Sequence, residues 1–285
     1  MLNRNIENFI GCDASYEESK IVIFGAPFDS TTSFRPGTRF ASRAMRADSF
    51  GLETYSPYLD RDLEDAAVFD SGDLELCIGD AKMALKDIEE RAGIILEDGK
   101  LPVMIGGEHL VTLGAFKAAL SKYPDLHIIH FDAHADLRED YLGAGLSHAC
   151  VLRRCWELTG DGRIHQFGIR SGDRSEFMWA QEGHVEMRKF DFDGLEKCLE
   201  SIQGKPVYLT VDLDVLDPSV FPGTGTPEAG GVTFTELLEA LGKVCRMADV
   251  KACDVNELCP SYDASGVSTA VACKVLRELL LMLRV

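Results

Sequence analysis

Histidines and aspartates that could bind metal ions follow two apolar runs of the sequence at alternate positions. Asp132, His134 and Asp136 are spaced two residues apart, and in an extended chain this spacing places all three side chains on one side. Asp212 and Asp214 repeat the spacing after a later run. Buried carboxylates at such short separation are costly unless a cation neutralises them. The pattern therefore predicts that both segments bind metal ions.

A third segment adds an imidazole. His109 follows the paired glycines Gly106 and Gly107, which allow the backbone to turn sharply and present the histidine. Together the three segments offer two imidazoles, four carboxylates and no sulfur, a set that suits manganese or another hard-to-borderline divalent ion better than structural zinc. Six side chains are too many for one open catalytic ion but enough for two ions about 3.5–4 Å apart. The predicted metal ligands are His109, Asp132, His134, Asp136, Asp212 and Asp214.

Two more residues could act on a substrate beside such ions. Glu257 follows a predicted strand, and its carboxylate could pair with a cationic substrate; the alternative is an acid at a helix start or on the surface. His148 lies at a predicted loop-to-helix junction and could exchange protons with the site; the alternative is a capping or surface histidine. His127 and His130 are interpreted as core or sheet-face histidines. His165 has no partner nearby in the sequence, so no role is predicted for it.

The elements around these segments predict an α/β fold. Short β-branched runs alternate with longer helical patterns, which is typical of βαβ units and a mainly parallel sheet. In open parallel sheets, ligands bind beyond the carboxyl ends of the strands, and the longest segments without periodicity follow predicted strands. The predicted strands are 21–25, 67–70, 102–105, 127–131, 164–168, 207–211 and 251–255, and the predicted helices are 80–97, 110–122, 192–202, 234–247 and 267–284.

Length, charge and cysteine usage narrow the class of protein. The 285 residues show no internal repeat or linker, which favours one domain over 1–285. A net charge of −18 argues against nucleic-acid or anionic-membrane partners and favours small cations. No uncharged apolar stretch reaches the roughly 18 residues of a membrane span, and the start of the chain does not resemble a signal peptide. Nine cysteines without a CxxC pair indicate reduced thiols in a cytoplasmic protein.

The order of the metal-binding segments resembles the signatures of the ureohydrolase (arginase/agmatinase) family. Four segments carry the resemblance: 106–109 (GGEH), 131–136 (FDAHAD), 212–218 (DLDVLDP) and 254–257 (DVNE). Two others, 34–40 (FRPGTRF) and 225–231 (GTPEAGG), are similar to the agmatinase branch. The resemblance spans most of the chain and implies an arginase-like, three-layer α/β/α sandwich with a mainly parallel central sheet.

The resemblance also implies a two-manganese centre in each chain, with Asp132 and Asp212 as bridging carboxylates. A histidine and an aspartate would complete the ligand set of each ion: His109 with Asp136 for one, and His134 with Asp214 for the other. By the same resemblance Glu257 would hold the substrate guanidinium, a planar cation that suits a carboxylate fork.

Proton transfer and substrate contacts are assigned by the same resemblance. His148 would shuttle protons, and Asp136 would take the proton of the bridging hydroxide and deliver it to the leaving amine. Thr226 and Glu228 would belong to the loop that meets the substrate.

The activity implied is manganese-dependent hydrolysis of agmatine to putrescine and urea by a metal-bridging hydroxide, a step of polyamine biosynthesis, in a homo-oligomer of trimeric or hexameric form. The loop after Asp136 carries Arg138, Glu139 and Asp140, and its acidic balance favours a substrate whose far end is an ammonium. Guanidinobutyrase and arginase stay open because Arg138 could meet a distal carboxylate. A one-zinc deacetylase of the same fold type and a non-catalytic guanidine- or metal-binding relative are further alternatives.

Overall fold

Apolar runs form the inner strands of the computed structural model, which describes residues 7–284. The run IVIFG, for example, is a fully buried strand, as expected where helices cover both faces of a parallel sheet. The strands in this part of the chain are β1 (Ile21–Gly25), β2 (Tyr55–Ser56), β3 (Arg61–Asp62), β4 (Val68–Asp73), β5 (Leu101–Ile105), β6 (His127–Phe131), β7 (Ile164–Ile169), β8 (Glu186–Lys189), β9 (Pro206–Asp212) and β10 (Asp249–Asn256). The α-helices are α1 (Ala41–Ser49), α2 (Ala81–Glu97), α3 (Thr112–Lys122), α4 (Val151–Thr159), α5 (Arg174–Gln181), α6 (Leu195–Ser201), α7 (Phe234–Met247) and α8 (Val267–Met282).

Eight strands form one sheet in the order β4-β1-β5-β10-β9-β6-β7-β8, and β2 pairs with β3 in a small hairpin. Each neighbouring pair in the large sheet is parallel. One hydrophobic core lies between the sheet and helices α1, α6, α7 and α8, and a second lies between the other face and helices α2, α3, α4 and α5. The predicted three-layer α/β/α fold with a parallel central sheet is therefore confirmed.

The strand register brings the predicted metal-binding segments together. The four inner strands are β5, β10, β9 and β6, and all three chemistry-bearing segments and Glu257 lie at their carboxyl ends. Phe131 pairs with Val211, so that Asp132 follows beside Asp212. The predicted site thus lies where the central strands end, as open parallel sheets favour.

All seven predicted strands are present, with ends shifted by a few residues at most. The sequence patterns missed β8, the β2–β3 hairpin and helices α1, α4 and α5. Strand β8 reads EMRK and is mostly exposed, so it lacks the apolar alternation that signals a strand. Helix α6 begins at Leu195 rather than at 192, since Gly194 before it is in the left-handed conformation. The one-domain interpretation stays a prediction. In residues 7–284 no helix is both long and apolar enough to span a membrane.

The paired glycines before His109 lie where the chain bends and where neighbouring segments approach closely. The backbone bends at Gly107 and Glu108, as the sequence predicts, although neither Gly106 nor Gly107 has a positive φ. A Cβ on Gly107 would lie 2.0 Å from the carbonyl oxygen of Phe28, and one on Gly106 would lie 1.8 Å from Oδ1 of Asn256. The β5 end therefore packs directly against two neighbouring segments of the site.

We expect Gly107→Ala to destabilise the protein, because the clash is with backbone and cannot be relieved by a rotamer change. Overpacking of this kind costs about 1–3 kcal/mol or more of unfolding free energy, measurable by chemical denaturation. Gly93→Ala is the matched control, since Gly93 lies inside α2 with open space around it. That change should be neutral or stabilise by up to about 1 kcal/mol. Equal stabilities of the two variants would contradict the packing argument.

Candidate active site

The side chain of His109 faces three of the predicted carboxylate ligands. Its Nδ1 lies 2.9 Å from Asp132 Oδ2, 3.1 Å from Asp136 Oδ2 and 3.3 Å from Asp212 Oδ2. All four residues are buried. A single ring nitrogen cannot satisfy three carboxylates with one proton, so the arrangement fits a shared cation at this point.

His134 makes a second such contact with the remaining predicted ligand. Its Nδ1 lies 3.0 Å from Asp214 Oδ2 and 3.4 Å from Asp132 Oδ1. Asp132 therefore directs one carboxylate oxygen to each histidine, since its Oδ2 faces His109. The structure thus brings all six predicted ligands together in two adjoining groups that share Asp132.

Burial and mutual repulsion make the ionised carboxylates of this cluster costly. Burial and the nearby Asp132 raise the pKa of Asp136 to about 7. Burial, with Asp214 and Asp132 beside it, raises the pKa of Asp212 well above its usual range. Burial and Asp214 do the same to the pKa of Glu257. Nearby positive charge is what keeps such groups ionised, so the donor set fits bound divalent cations.

The far side of the His109 ring is fixed by a threonine. Nε2 of His109 lies 2.8 Å from Thr210 Oγ1, and Thr210 is fully buried on β9. If Nε2 carries the proton and donates it to Thr210, Nδ1 presents its lone pair to the carboxylates. Metal-binding histidines commonly donate their other N–H to a neighbour in this way, which sets the tautomer.

Thr210→Val should therefore weaken binding of divalent metal ions by about 10–100-fold, the usual effect of removing a hydrogen-bond partner behind a metal ligand. The variant is nearly isosteric, and the measurement is calorimetric titration of the chelator-treated protein with manganese. Thr210→Ser keeps the hydroxyl and should bind metal about as tightly as the unaltered protein. If the Thr210→Val and Thr210→Ser variants bind manganese equally tightly, the Thr210 hydroxyl does not orient His109.

A cavity of about 220 Å³ opens over the histidine and aspartate cluster. Glu257, His148 and Thr226 line it. Oε1 of Glu257 accepts the backbone N–H of His109 at 2.7 Å, which fixes the carboxylate beside the cluster. Asp136 and Glu257 both have positive φ values, 53° and 66°, a conformation that costs non-glycine residues energy and that is often retained at functional sites.

Thr226 and Glu228 occupy different places at this cavity. The Thr226 hydroxyl lies 3.3 Å from Asp214 Oδ2, to which it donates. Glu228 does not line the cavity; its partly exposed side chain accepts from the hydroxyl of Ser171, a lining residue, at 2.9 Å and lies 4.0 Å from His134 Nε2. Thr226 therefore touches a predicted metal ligand, whereas Glu228 contacts the cavity wall from outside.

The comparisons with known proteins agree with this geometry. The sequence model described as the Arginase family matches residues 19–282. The chain belongs to the arginase family. Proteins named agmatinase from Bacillus anthracis and Bacillus subtilis are each 48% identical to it over 275 residues, which is 96% of this chain and 95% of each relative. The crystal structure of agmatine ureohydrolase from Thermoplasma volcanium has a TM-score of 0.89 and 34% identity, and the match covers 98% of this chain and 94% of that one.

Several residues of this arginase-family site were missed by sequence reasoning. His130 was interpreted as a core or sheet-face histidine, yet its Nε2 lies 2.8 Å from Asp132 Oδ2. Its Nδ1 lies 3.0 Å from the Gln166 side-chain nitrogen, which donates, so the ring proton is directed to Asp132. His130 therefore orients Asp132. The pairing depends on β6 and β7 lying side by side, which no local pattern reveals.

Glu108 is a second residue that was not singled out. It is fully buried and accepts from the Thr31 N–H at 2.9 Å and from the Thr32 hydroxyl at 3.1 Å. The Thr31 hydroxyl in turn accepts the backbone N–H of His148 at 3.1 Å. Glu108 thus links the loop after β1 to the histidine at the cavity, and its place next to His109 in the GGEH motif is the only signal the sequence holds.

The acidic group beside Arg138 is not one of those in the loop after Asp136, from which the sequence predicts the charge at this end of the cavity. Arg138 and Glu176 line the cavity, and Arg138 Nε lies 3.6 Å from Glu176 Oε2. The side chain of Arg138 also lies over the ring of Tyr141, 5.0 Å from its centroid. Glu139 and Asp140 are exposed and do not line this cavity. The acid that lines the cavity beside Arg138 is therefore Glu176, from α5, a helix the sequence patterns did not predict.

Proposed function

We propose that this arginase-family protein is an agmatinase, a divalent-metal hydrolase that converts agmatine and water to putrescine and urea. The observation that carries the proposal is a cavity lined by Glu257 directly above two histidines and four aspartates. The high identity to proteins named agmatinase, over nearly the whole chain, supports agmatine as the guanidine compound.

Two manganese ions per chain are the proposed cofactors. Their six proposed ligands are His109, Asp132, His134, Asp136, Asp212 and Asp214. Oxygen and imidazole donors without sulfur suit manganese, and Asp132, whose oxygens face both histidines, is the proposed shared ligand together with Asp212. When bound, such a pair of ions supplies a hydroxide nucleophile near neutral pH.

Glu257 is the proposed binding group for the guanidinium. Its carboxylate is buried, fixed by the His109 N–H and adjacent to the ligand cluster. A guanidinium presents paired N–H donors that fit a carboxylate fork. Binding there would place the central carbon of the guanidinium next to the ligand cluster, where the water is activated.

His148 and Asp136 are the proposed proton carriers. Burial lowers the pKa of His148 to about 4, so the ring is neutral at pH 7 and would carry a transferred proton only transiently. Its Nε2 lies 3.1 Å from the Ser33 hydroxyl, which orients the ring at the cavity wall. Asp136 also lines the cavity, and its proposed role is to pass a proton to the leaving amine.

The choice among guanidine compounds depends on the far end of the cavity. Arg138 Nε lies 3.6 Å from Glu176 Oε2, so a distal carboxylate would have to compete with Glu176 for the Arg138 charge. A substrate that ends in an ammonium, as agmatine does, is therefore preferred over arginine or guanidinobutyrate. Those two compounds remain the alternatives, because the Arg138 guanidinium still faces the cavity.

A urea-release assay tests the proposal. The full-length protein, loaded with manganese, is supplied separately with agmatine, arginine and guanidinobutyrate. We expect urea from agmatine with a kcat/KM at least about tenfold above that for the other two, a difference of about 1.4 kcal/mol in transition-state binding. If urea formed chiefly from arginine or guanidinobutyrate, that compound would be the substrate in place of agmatine. If none of the three compounds released urea, the protein would be a non-catalytic relative of the family.

We also propose a cytoplasmic homo-oligomer, trimeric or hexameric, with no nucleic-acid or membrane partner. The net charge of −18 supports the absence of anionic partners. Mass measurement in solution tests the oligomer, and a monomeric mass would contradict it.

A further inference from the structure

A second group of metal-ligating side chains lies at the opposite end of the sheet from the active site. His165 and Glu186 are paired residues on β7 and β8, near the amino ends of those strands. Cys198 lies on α6, which packs on the same face. A nitrogen of His165, a carboxylate oxygen of Glu186 and the Cys198 sulfur all lie within 4.8 Å of one another.

We propose that His165, Glu186 and Cys198 form a second divalent-metal site, selective for a thiol-binding ion of the zinc class. Imidazole, thiolate and carboxylate are the three ligand types that zinc uses in proteins, at about 2.0–2.3 Å. The site is separate from the active site in both place and chemistry, since the active-site cluster contains no sulfur.

The contacts around His165 direct one ring nitrogen toward another proposed ligand and the other toward a neighbouring histidine. Its Nδ1 lies 2.9 Å from Glu186 Oε2, and its Nε2 lies 3.2 Å from Nδ1 of His127. The two imidazole rings are nearly parallel, at 13°. With a metal on Nδ1, the proton of His165 resides on Nε2 and is donated to His127. His127 is thus the orienting neighbour that metal-binding histidines commonly have.

Burial and access also suit a metal ion. Cys198 and His165 are only 3% and 5% exposed, whereas the Glu186 side chain is about half exposed, which leaves an entry path from solvent. Metal binding would replace the S–H bond of Cys198 by a metal–sulfur bond and release the thiol proton to solvent.

The position at the sheet edge indicates what the ion would do. Strand β8 is the last strand of the sheet and is mostly exposed, so few apolar contacts hold it. Ligands from β7, β8 and α6 would join the edge strand to its neighbour and to helix α6. Zinc binding should therefore raise the melting temperature of the protein.

Cobalt(II) provides the test, because a cobalt–thiolate bond gives a near-ultraviolet charge-transfer band that nitrogen and oxygen ligands do not. The full-length Asp132→Asn variant, which impairs the proposed manganese centre, is titrated with cobalt and then with zinc. We expect a band that saturates at one cobalt per chain, disappears on addition of zinc and is accompanied by proton release. Absence of the band would overturn the proposal, whatever the result of the urea assay.

Matched variants test which cysteine sulfur binds cobalt and whether a lost band results from misfolding. Cys198→Ser should remove the band, while Cys245→Ser, at an equally buried cysteine of α7, should retain it. Glu186→Gln alters a half-exposed side chain and should weaken cobalt binding by at least about tenfold with the fold intact by circular dichroism. A band that survives Cys198→Ser, or unchanged affinity in Glu186→Gln, would contradict the assignment.

Discussion

Replacing Asp132 by asparagine should abolish both tight manganese binding and urea release, with kcat/KM lower by at least about 10³-fold. Asp132 is the one carboxylate whose two oxygens face both histidines, His109 at 2.9 Å and His134 at 3.4 Å. Metal ions that polarise a reacting group supply several kcal/mol, and each 1.36 kcal/mol is a factor of ten in rate. Loss of the shared ligand therefore removes the largest single contribution to the reaction.

The measurement is metal content per chain after dialysis, together with urea release from agmatine. Asparagine keeps one side-chain oxygen and nearly the same shape, so the fold should persist, as checked by circular dichroism. Asp161→Asn is the control: Asp161 is exposed and pairs with His184 on the surface, so its loss should leave metal content and turnover unchanged. Full turnover in Asp132→Asn would remove Asp132 from the proposed ligand set.

The inner sheet could be predicted from sequence because its signals are local. A short β-branched apolar run bounded by turn residues is typical of a buried strand, and the ends of β1, β6 and α7 coincide with the predicted ones. The missed elements lack that signal. Helix α1 reads ASRAMRADS and is polar overall, and β8 is charged. Both are held by neighbours that are distant in the sequence, which periodicity does not show.

The helix at the end of the described chain shows the same limit. The spacing of Val267, Val271, Val275 and Leu279 by four residues predicts one buried face for α8, with Arg277 and Glu278 outside it. Both charged residues are nevertheless almost fully buried. They pair with each other, and Glu278 also accepts from the Ser56 hydroxyl in the hairpin. A charged residue is predicted to be exposed unless a partner that pairs with it in the fold is known.

The six proposed ligands of the active site could be named from the sequence because alternation within a strand end is visible in one segment. The groups that orient them could not. Thr210 contacts His109 across 101 residues, and Gln166 contacts His130 across 36. No local sequence signal marks such partners, because only the strand order β5-β10-β9-β6-β7 places them beside the histidines. Ligand types can thus be read from spacing, whereas the hydrogen bonds that set their tautomers follow from topology.

Glu257→Gln should separate substrate binding from metal binding at this site. Glutamine keeps the oxygen that accepts the His109 N–H, so the ligand cluster is not displaced, but it removes the negative charge that faces the guanidinium. Loss of one partner of a buried charge pair costs about 3–5 kcal/mol, so kcat/KM for agmatine should fall by about 10²–10⁴-fold. Manganese content per chain should stay unchanged. Glu157→Gln, at an exposed position of α4, should alter neither. If Glu257→Gln lost its manganese as well, Glu257 would belong with the metal ligands; if it turned over agmatine normally, the guanidinium would have to be bound by another group of the cavity.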